Sequence, residues 1–171
     1  MTIGPVHHTN ISVADLDRAI AFYRDVLGYR VTMRAAIEKP EFQRYVRVPH
    51  GTRGEMALMQ VGDDPSVGTI ELLEWSPAPV PPTPPKRPGD PGLCMLALEV
   101  RDETLEDVRE RMRGQGVEPW ADIISIDLDG YPTFRGMVVE DPDGTLVELI
   151  QLPTREEVRA FRQRMKEGQA V

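Results

Sequence analysis

The two halves of this sequence follow the same order of predicted secondary-structure elements, and this duplication restricts the fold more than any other feature. The segment VHHTNISV alternates polar and apolar residues with a period of two, which predicts a strand. A helical pattern and three further strand patterns follow it, and the same order then begins again. The predicted elements are strand 6–13, helix 15–28 and strands 29–38, 55–61 and 69–75, then strand 93–100, helix 102–116 and strands 117–126, 133–140 and 145–152. The sequence therefore predicts two βαβββ modules.

The two halves also align residue by residue. VHHTNISVAD aligns with LCMLALEVRD, which places Met95 on His8, and GTIELLEW aligns with GTLVELIQ, which places Glu148 on Glu71. Side chains alternate between the two faces of a strand, so His8 shares a face with Asn10. Glu71 and Glu148 each stand between apolar neighbours, as a carboxylate on a half-buried strand does. We expect both modules to present a carboxylate from the last strand on the face used by the first strand.

A proline-rich segment separates the modules. The stretch from Pro77 to Pro91 holds half of the 16 prolines of the chain, which excludes regular helix and sheet and favours an extended linker. After the second module, Thr154 and Glu157 have the spacing of a capping box, and the residues that follow show a helical pattern. The predicted organisation is a first module over 1–76, a linker over 77–92, a second module over 93–152, and a C-terminal helix with its tail over 153–171.

Composition and charge narrow the classes of partner. The formal net charge is −8 and the pI is about 4.9, which disfavours nucleic acids and anionic membranes as partners. Cys94 is the only cysteine, so an intrachain disulfide or a zinc site with several cysteines is excluded. The first ten residues lack the pattern of a secretory signal, and no apolar run is long enough to cross a membrane. We expect a cytoplasmic protein.

The quoted motifs resemble a known family. HTNISVADLDRAIAFYRDVLG, the strand IELLE, the restart MLALEV and the closing EDPDGTLVELIQ look like the vicinal oxygen chelate superfamily, which contains glyoxalases, bleomycin resistance proteins, epimerases and extradiol dioxygenases. The resemblance covers the chain apart from the linker and the last helix. It implies an α+β fold in which two βαβββ modules form a curved, eight-stranded mixed sheet around a cavity. It also implies a homodimer that binds a small-molecule substrate.

The resemblance also implies a metal site. The four ligand positions of the family fall on His8, Glu71, Met95 and Glu148. A methionine thioether is a soft, weak donor, so the implied ligands are His8, Glu71 and Glu148, and Met95 becomes part of the cavity wall. The implied cofactor is a divalent ion, with Zn, Mn, Ni, Fe and Mg all open, or none at all because Met95 replaces a usual ligand.

Three activities are consistent with these residues. The leading interpretation is a metal-dependent isomerase or lyase that forms an enolate-type intermediate, with Glu71 and Glu148 as the catalytic groups that move a proton. The residues expected to bind the substrate are Asn10, Met95, Tyr131 and Arg135. The second interpretation is a metal-free binding or resistance protein of the same fold. The third is an extradiol dioxygenase, which requires two histidines and one carboxylate around iron.

Overall fold

The computed structural model describes residues 4, 6–64, 68–78 and 84–167. The chain divides into two compact units, Met1–Pro84 and Pro85–Val171. This boundary lies inside the predicted linker 77–92, of which residues 79–83 are outside the described part of the chain. Residues 168–171 of the predicted C-terminal tail are also outside it. None of the described helices is long and apolar enough to span a membrane.

The first unit contains one four-stranded sheet. Its elements in chain order are β1 (His8–Ser12), α1 (Leu16–Ala21) continued by a π-helical turn (Phe22–Val26), β2 (Arg30–Ile37), α2 (Pro40–Val46), β3 (Arg53–Gln60) and β4 (Thr69–Ser76). The strands lie in the order β1-β4-β3-β2. The pair β1–β4 is parallel and the other pairs are antiparallel. This sheet is therefore mixed.

The second unit contains another mixed sheet of the same design. Its elements are β5 (Met95–Glu99), α3 (Leu105–Gly114), β6 (Ala121–Leu128), β7 (Tyr131–Glu140), β8 (Leu146–Gln151) and α4 (Arg155–Lys166). The strand order is β5-β8-β7-β6, with β5–β8 parallel and the other pairs antiparallel. The predicted α+β class, with eight strands from two modules and a C-terminal helix, is confirmed.

The duplication extends to the pairing register of the strands. In the first unit His8 lies opposite Thr69 and Asn10 lies opposite Glu71. In the second unit, the aligned Met95 lies opposite Leu146, and Ala97 lies opposite Glu148. The carboxylate of each unit therefore occupies the same position relative to its first strand, because one register places every side chain on a defined face.

Each sheet buries one face against a helix. The helix α1 packs on β3 and β4, and α3 packs on β7 and β8. The buried residues of this layer include Leu16, Ile20, Tyr23, Ala57, Met59, Ile70 and Leu72 in the first unit, and Leu105, Val108, Met112, Met137, Val139 and Val147 in the second.

The predicted helix caps form. Asp15 accepts a hydrogen bond from the Arg18 backbone N–H at 2.9 Å and so caps α1. Thr154 and Glu157 form the predicted capping box of α4. A further contact was not visible in the sequence: the Leu16 backbone N–H donates to Oε2 of Glu74 at 2.8 Å, which joins the start of α1 to β4. The local signals for helix starts are therefore satisfied.

One helix, α2, is not among the predicted elements, which leave the residues between the strands 29–38 and 55–61 unassigned. The helix has seven residues and begins at Pro40, which suits a first helical position. Gln43 is buried and braces the segment: its Nε2 donates to the Thr52 carbonyl at 2.8 Å, and its Oε1 accepts from the Gly51 N–H at 3.4 Å. A helix this short depends on such tertiary contacts and leaves little periodicity in the sequence.

Burial of Tyr29 leads to a prediction about alkaline stability. Tyr29 is 4% exposed, and its burial raises the pKa of its phenol to about 12. The raised pKa means that the folded chain favours the neutral phenol. The resulting contribution to the free energy of unfolding is complete below pH 10 and is lost as the pH rises towards 12. We expect the wild-type chain to lose about 2 kcal/mol of unfolding free energy relative to Tyr29→Phe between pH 9 and roughly pH 11.5, measured by urea unfolding. The exposed Tyr45 provides the control, Tyr45→Phe, and equal pH dependence in all three proteins would contradict the prediction.

Candidate functional site

His8 and Glu71 form the central contact of the first unit. They lie on adjacent parallel strands and point to the face that carries no helix, two residues apart in register. His8 Nε2 lies 3.2 Å from Glu71 Oε2. The His8 side chain is 37% exposed and the Glu71 side chain 11% exposed. A ligand can therefore reach the imidazole directly, whereas water has limited access to the carboxylate.

The spacing of this pair fits two adjacent ligands of a divalent ion. Nitrogen and oxygen ligands lie about 2.0–2.2 Å from such ions, so neighbouring donors are roughly 2.8–3.6 Å apart over the angles of octahedral and tetrahedral geometry. The observed separation of 3.2 Å falls in this interval. Imidazole and carboxylate also suit Zn, Mn, Ni and Fe, whereas Mg prefers oxygen ligands alone. The donor pair therefore fits a divalent ion at two positions of its coordination shell.

His7 contributes a contact that sequence reasoning missed. His7 points away from His8 by strand alternation, but its Nδ1 lies 2.8 Å from Nδ1 of His8, and the two rings meet edge to face. When His8 donates its Nδ1 proton to His7, its Nε2 keeps a free lone pair and can bind an ion. When His7 donates instead, Nε2 of His8 carries the proton and faces Glu71. The only sequence signal for this arrangement is the adjacent pair of histidines.

The second unit repeats the placement with a different donor set. Met95 and Glu148 are half-buried and share the face opposite α3, in the register of His8 and Glu71. The thioether of Met95 is a weak ligand for a hard divalent ion. Within residues 6–64, 68–78 and 84–167, no group of three or more His, Cys, Asp or Glu side chains is arranged to hold a metal. Each unit by itself thus supplies fewer donors than a catalytic metal site uses.

The other predicted substrate-binding residues are placed in different surroundings. Asn10 is exposed and lies opposite Glu71, on the same face. Arg135 lies on the other face of its sheet, against α3, and donates to Glu106, with 3.1 Å between Arg135 Nη1 and Glu106 Oε2. These hydrogen bonds hold the pKa of the Glu106 carboxyl below its usual value. The structure therefore brings Asn10 to the Glu71 face, and it brings Arg135 to a helix rather than to Glu148.

Tyr131 lines a separate cleft. This cleft lies within the second unit, between the β6–β7 turn and α4, and has a volume of about 830 Å³. Asp129, Phe161 and Arg164 also line it, and the Tyr131 ring meets Phe134 edge to face. Glu148 is not among its lining residues. Tyr131 and Glu148 are therefore not brought together within this unit.

The comparisons with known proteins agree with this fold. The sequence model of the Glyoxalase/Bleomycin resistance protein/Dioxygenase superfamily matches residues 6–149. A glyoxalase family protein from Bacillus cereus superposes with a TM-score of 0.73 at 20% identity, covering 90% of this chain and 97% of the other. The trypanothione-dependent glyoxalase I of Leishmania major superposes with a TM-score of 0.59 at 25% identity, covering 98% of this chain and 100% of the other. A search of curated protein sequences found no significant match.

Proposed function

The chain belongs to the glyoxalase, bleomycin resistance protein and dioxygenase superfamily, and on that premise we propose that it is a metal-dependent isomerase or lyase. The proposed ligands of the divalent ion are His8, Glu71 and Glu148, and the proposed substrate is a small molecule with two neighbouring oxygen atoms. The observation that supports the proposal best is the 3.2 Å separation of His8 Nε2 and Glu71 Oε2, which suits adjacent ligands. Glu148 is proposed as the third ligand because it repeats the register of Glu71.

The chemistry assigned to the side chains is proton transfer. A bound divalent ion supplies Lewis acidity, which stabilises negative charge on substrate oxygens. Glu71 accepts the proton when the C–H bond next to a carbonyl breaks, and the electron pair moves onto the carbonyl oxygen. The side-chain amide of Asn10, on the same face, is a hydrogen-bond donor for that oxygen. Glu148 is proposed as the second proton-transfer group: in its protonated form it gives its proton to the carbon, and it regains a proton from water.

Proton exchange at carbon tests this proposal. Pyruvate, phenylpyruvate, lactate and mandelate each carry two neighbouring oxygens, and their loss of carbon-bound protons in D₂O is followed by NMR. We expect enzyme-dependent exchange of at least one compound with Zn²⁺, Ni²⁺ or Mg²⁺ present. EDTA should abolish the exchange and a fresh addition of the ion should restore it. No exchange of any of the four compounds with any of these ions would contradict the proposal.

Met95→His is expected to strengthen metal binding. The change replaces a weak thioether by imidazole, a good ligand for Zn²⁺ and Ni²⁺, at the position aligned with His8. We expect the affinity for Zn²⁺ to rise roughly tenfold or more, measured by competition with a chelating dye. Met165→His is the control, because Met165 is an exposed methionine on α4. Unchanged or weaker affinity in Met95→His would count against a site that includes this position.

A metal-free binding protein is the second candidate function. It is favoured by Met95, which stands where the family places a ligand, and by the apolar side chains of Met33, Met56 and Leu58 on the Glu71 face. If the chain binds no divalent ion and His8→Ala leaves ligand affinity unchanged, this candidate replaces the first. A homodimer is part of both proposals, and sedimentation analysis of the purified chain tests it.

A further inference from the structure

The face that carries His8 and Glu71 changes from polar to apolar along β4. Alternate residues of a strand share a face, so Glu71 is followed on this face by Leu73 and then by Trp75. Across the sheet, Glu71 lies opposite Leu58 of β3, and Leu58 lies opposite Met33 of β2. The imidazole and the carboxylate thus lie where β1 meets β4, and the face is apolar from there toward Trp75 along β4 and at Leu58 and Met33 across the sheet.

Trp75 is held at the apolar end by a glycine. It lies opposite Gly54 in the strand register. A Cβ atom on Gly54 would lie 2.6 Å from Cζ3 of Trp75, 2.8 Å from Cε3 of Trp75 and 3.1 Å from Cβ of Ile37. These distances are too short for real contacts, so the indole ring lies directly over the Gly54 backbone. Gly54 therefore determines where the ring of Trp75 lies.

The apolar part of the face is accessible in part. Met33 is 45% exposed, Met56, Leu58 and Trp75 are half-buried, and Leu73 is buried. Trp75 follows Glu71 by four residues, which corresponds to about 13 Å along a strand. The apolar body of a substrate whose oxygens lie at His8 and Glu71 would therefore extend along Leu73 toward the indole, over a distance that suits a group of aromatic size.

The second unit shows the same trend. Two residues beyond Glu148 on the same face is Ile150, which lies opposite Gly136, and Gly136 lies opposite Ile124. Ile124 is 59% exposed. The carboxylate of each unit is thus followed on its own face by apolar side chains, in the same direction along the strand.

From these contacts we infer that the substrate carries an apolar body of aromatic size next to its two oxygens, and that Trp75 is the residue that selects it. Gly54 is a positioning residue, because it acts through the indole ring. This inference rests on the proposed function, since that function places the substrate oxygens at the His8–Glu71 end of the face. It goes further by naming the class of substrate.

Mandelate and lactate test the inference, because they share one oxygenated head and differ in a phenyl or methyl group. We expect the wild-type chain to bind mandelate about tenfold more tightly than lactate in calorimetric titrations with Zn²⁺ present. Trp75→Ala should remove this preference by weakening mandelate about tenfold, while lactate binding stays unchanged. Trp120→Ala is the matched control, because Trp120 is the other tryptophan of the chain and is exposed. It should retain the preference.

Two further variants keep the test independent of folding defects. Gly54→Ala should shift the indole and reduce the preference for mandelate without a change in lactate binding. Trp75→Phe should retain part of the preference, and circular dichroism confirms that each variant is folded. In a Trp120→Phe background Trp75 is the single tryptophan, so mandelate should quench the remaining fluorescence and lactate should not.

The contradicting outcomes are separable. Equal affinity of the wild-type chain for both acids overturns this inference and leaves the proposed function intact. Binding of neither acid overturns this inference, and the proton-exchange assay decides separately on the proposed function. An equal loss of both affinities in Trp75→Ala would show that Trp75 has a structural role. It would overturn the inference that Trp75 selects the substrate. Dissociation of a dimer in Trp75→Ala, with both affinities unchanged, shows that a second copy covers this face and also overturns it.

Discussion

Glu71→Gln is expected to lower the rate of carbon-proton exchange by a factor of about 10² to 10⁴, the usual contribution of a general base. Glutamine has the shape of glutamate, but its side-chain amide does not act as a base near neutral pH. It is also a poorer ligand than a carboxylate. The Glu71 side chain is 11% exposed, so a water molecule has little space to replace the lost oxygen. The exchange rate at saturating substrate and ion measures the effect.

The control for this variant is Glu55→Gln. Glu55 lies on β3 of the same sheet, and its carboxylate accepts from Arg34, which also donates to Asp17 at the helix-bearing face. We expect Glu55→Gln to retain the wild-type exchange rate. If Glu71→Gln stayed within a few-fold of this control, Glu71 would not be the base. Circular dichroism of both variants excludes unfolding as the cause.

Leu72→Ala is expected to reduce the free energy of unfolding by roughly 2–5 kcal/mol. Leu72 is completely buried, next to Glu71 in sequence but on the opposite face. It lies between Ile11 of β1 and Ala57 of β3 in the register of the sheet, on the face covered by α1. The substitution leaves a cavity in this layer, which the surrounding strands can fill only in part. Urea unfolding measures the loss.

Leu128→Ala is the matched control for this prediction. Leu128 ends β6 and is 54% exposed, so its truncation should change the free energy of unfolding by less than about 0.5 kcal/mol. A loss below about 1 kcal/mol in Leu72→Ala would show that the core of the first unit does not depend on this layer. The same variant also tests whether packing on the α1 side of β4 fixes the position of Glu71 on the other side, because a cavity there would loosen the strand.

Most of the fold follows from periodicity. The alternation around Ile11 and the helical spacing of Leu105, Val108 and Met112 predict which side chains are buried, because one face of each element packs and the other does not. The sequence could not predict α2, which depends on the tertiary hydrogen bonds of Gln43. It also placed the start of β7 two residues late, although the Asp-Gly pair before Tyr131 is a typical hairpin turn.

The site was predicted where strand parity and duplication both apply. His8 and Glu71 satisfy both, and the structure brings them to 3.2 Å. Arg135 is supported by neither strand parity nor the duplication. A change of one residue in register moves a side chain to the other face of a sheet. The partner of Arg135, Glu106, lies on a helix 29 residues earlier in the chain. The contact of Trp75 with Gly54 depends on pairing between strands, which single-sequence patterns do not define.

Calorimetric titration of the chain with Zn²⁺ or Ni²⁺ tests the central claim most directly. The account predicts that the wild-type chain binds one ion and that His8→Ala weakens this binding at least about tenfold. His50→Ala, which changes an exposed histidine in the segment between α2 and β3, should bind the ion as the wild-type chain does. Absence of binding in the wild-type chain, or equal affinity in His8→Ala and His50→Ala, would contradict the account.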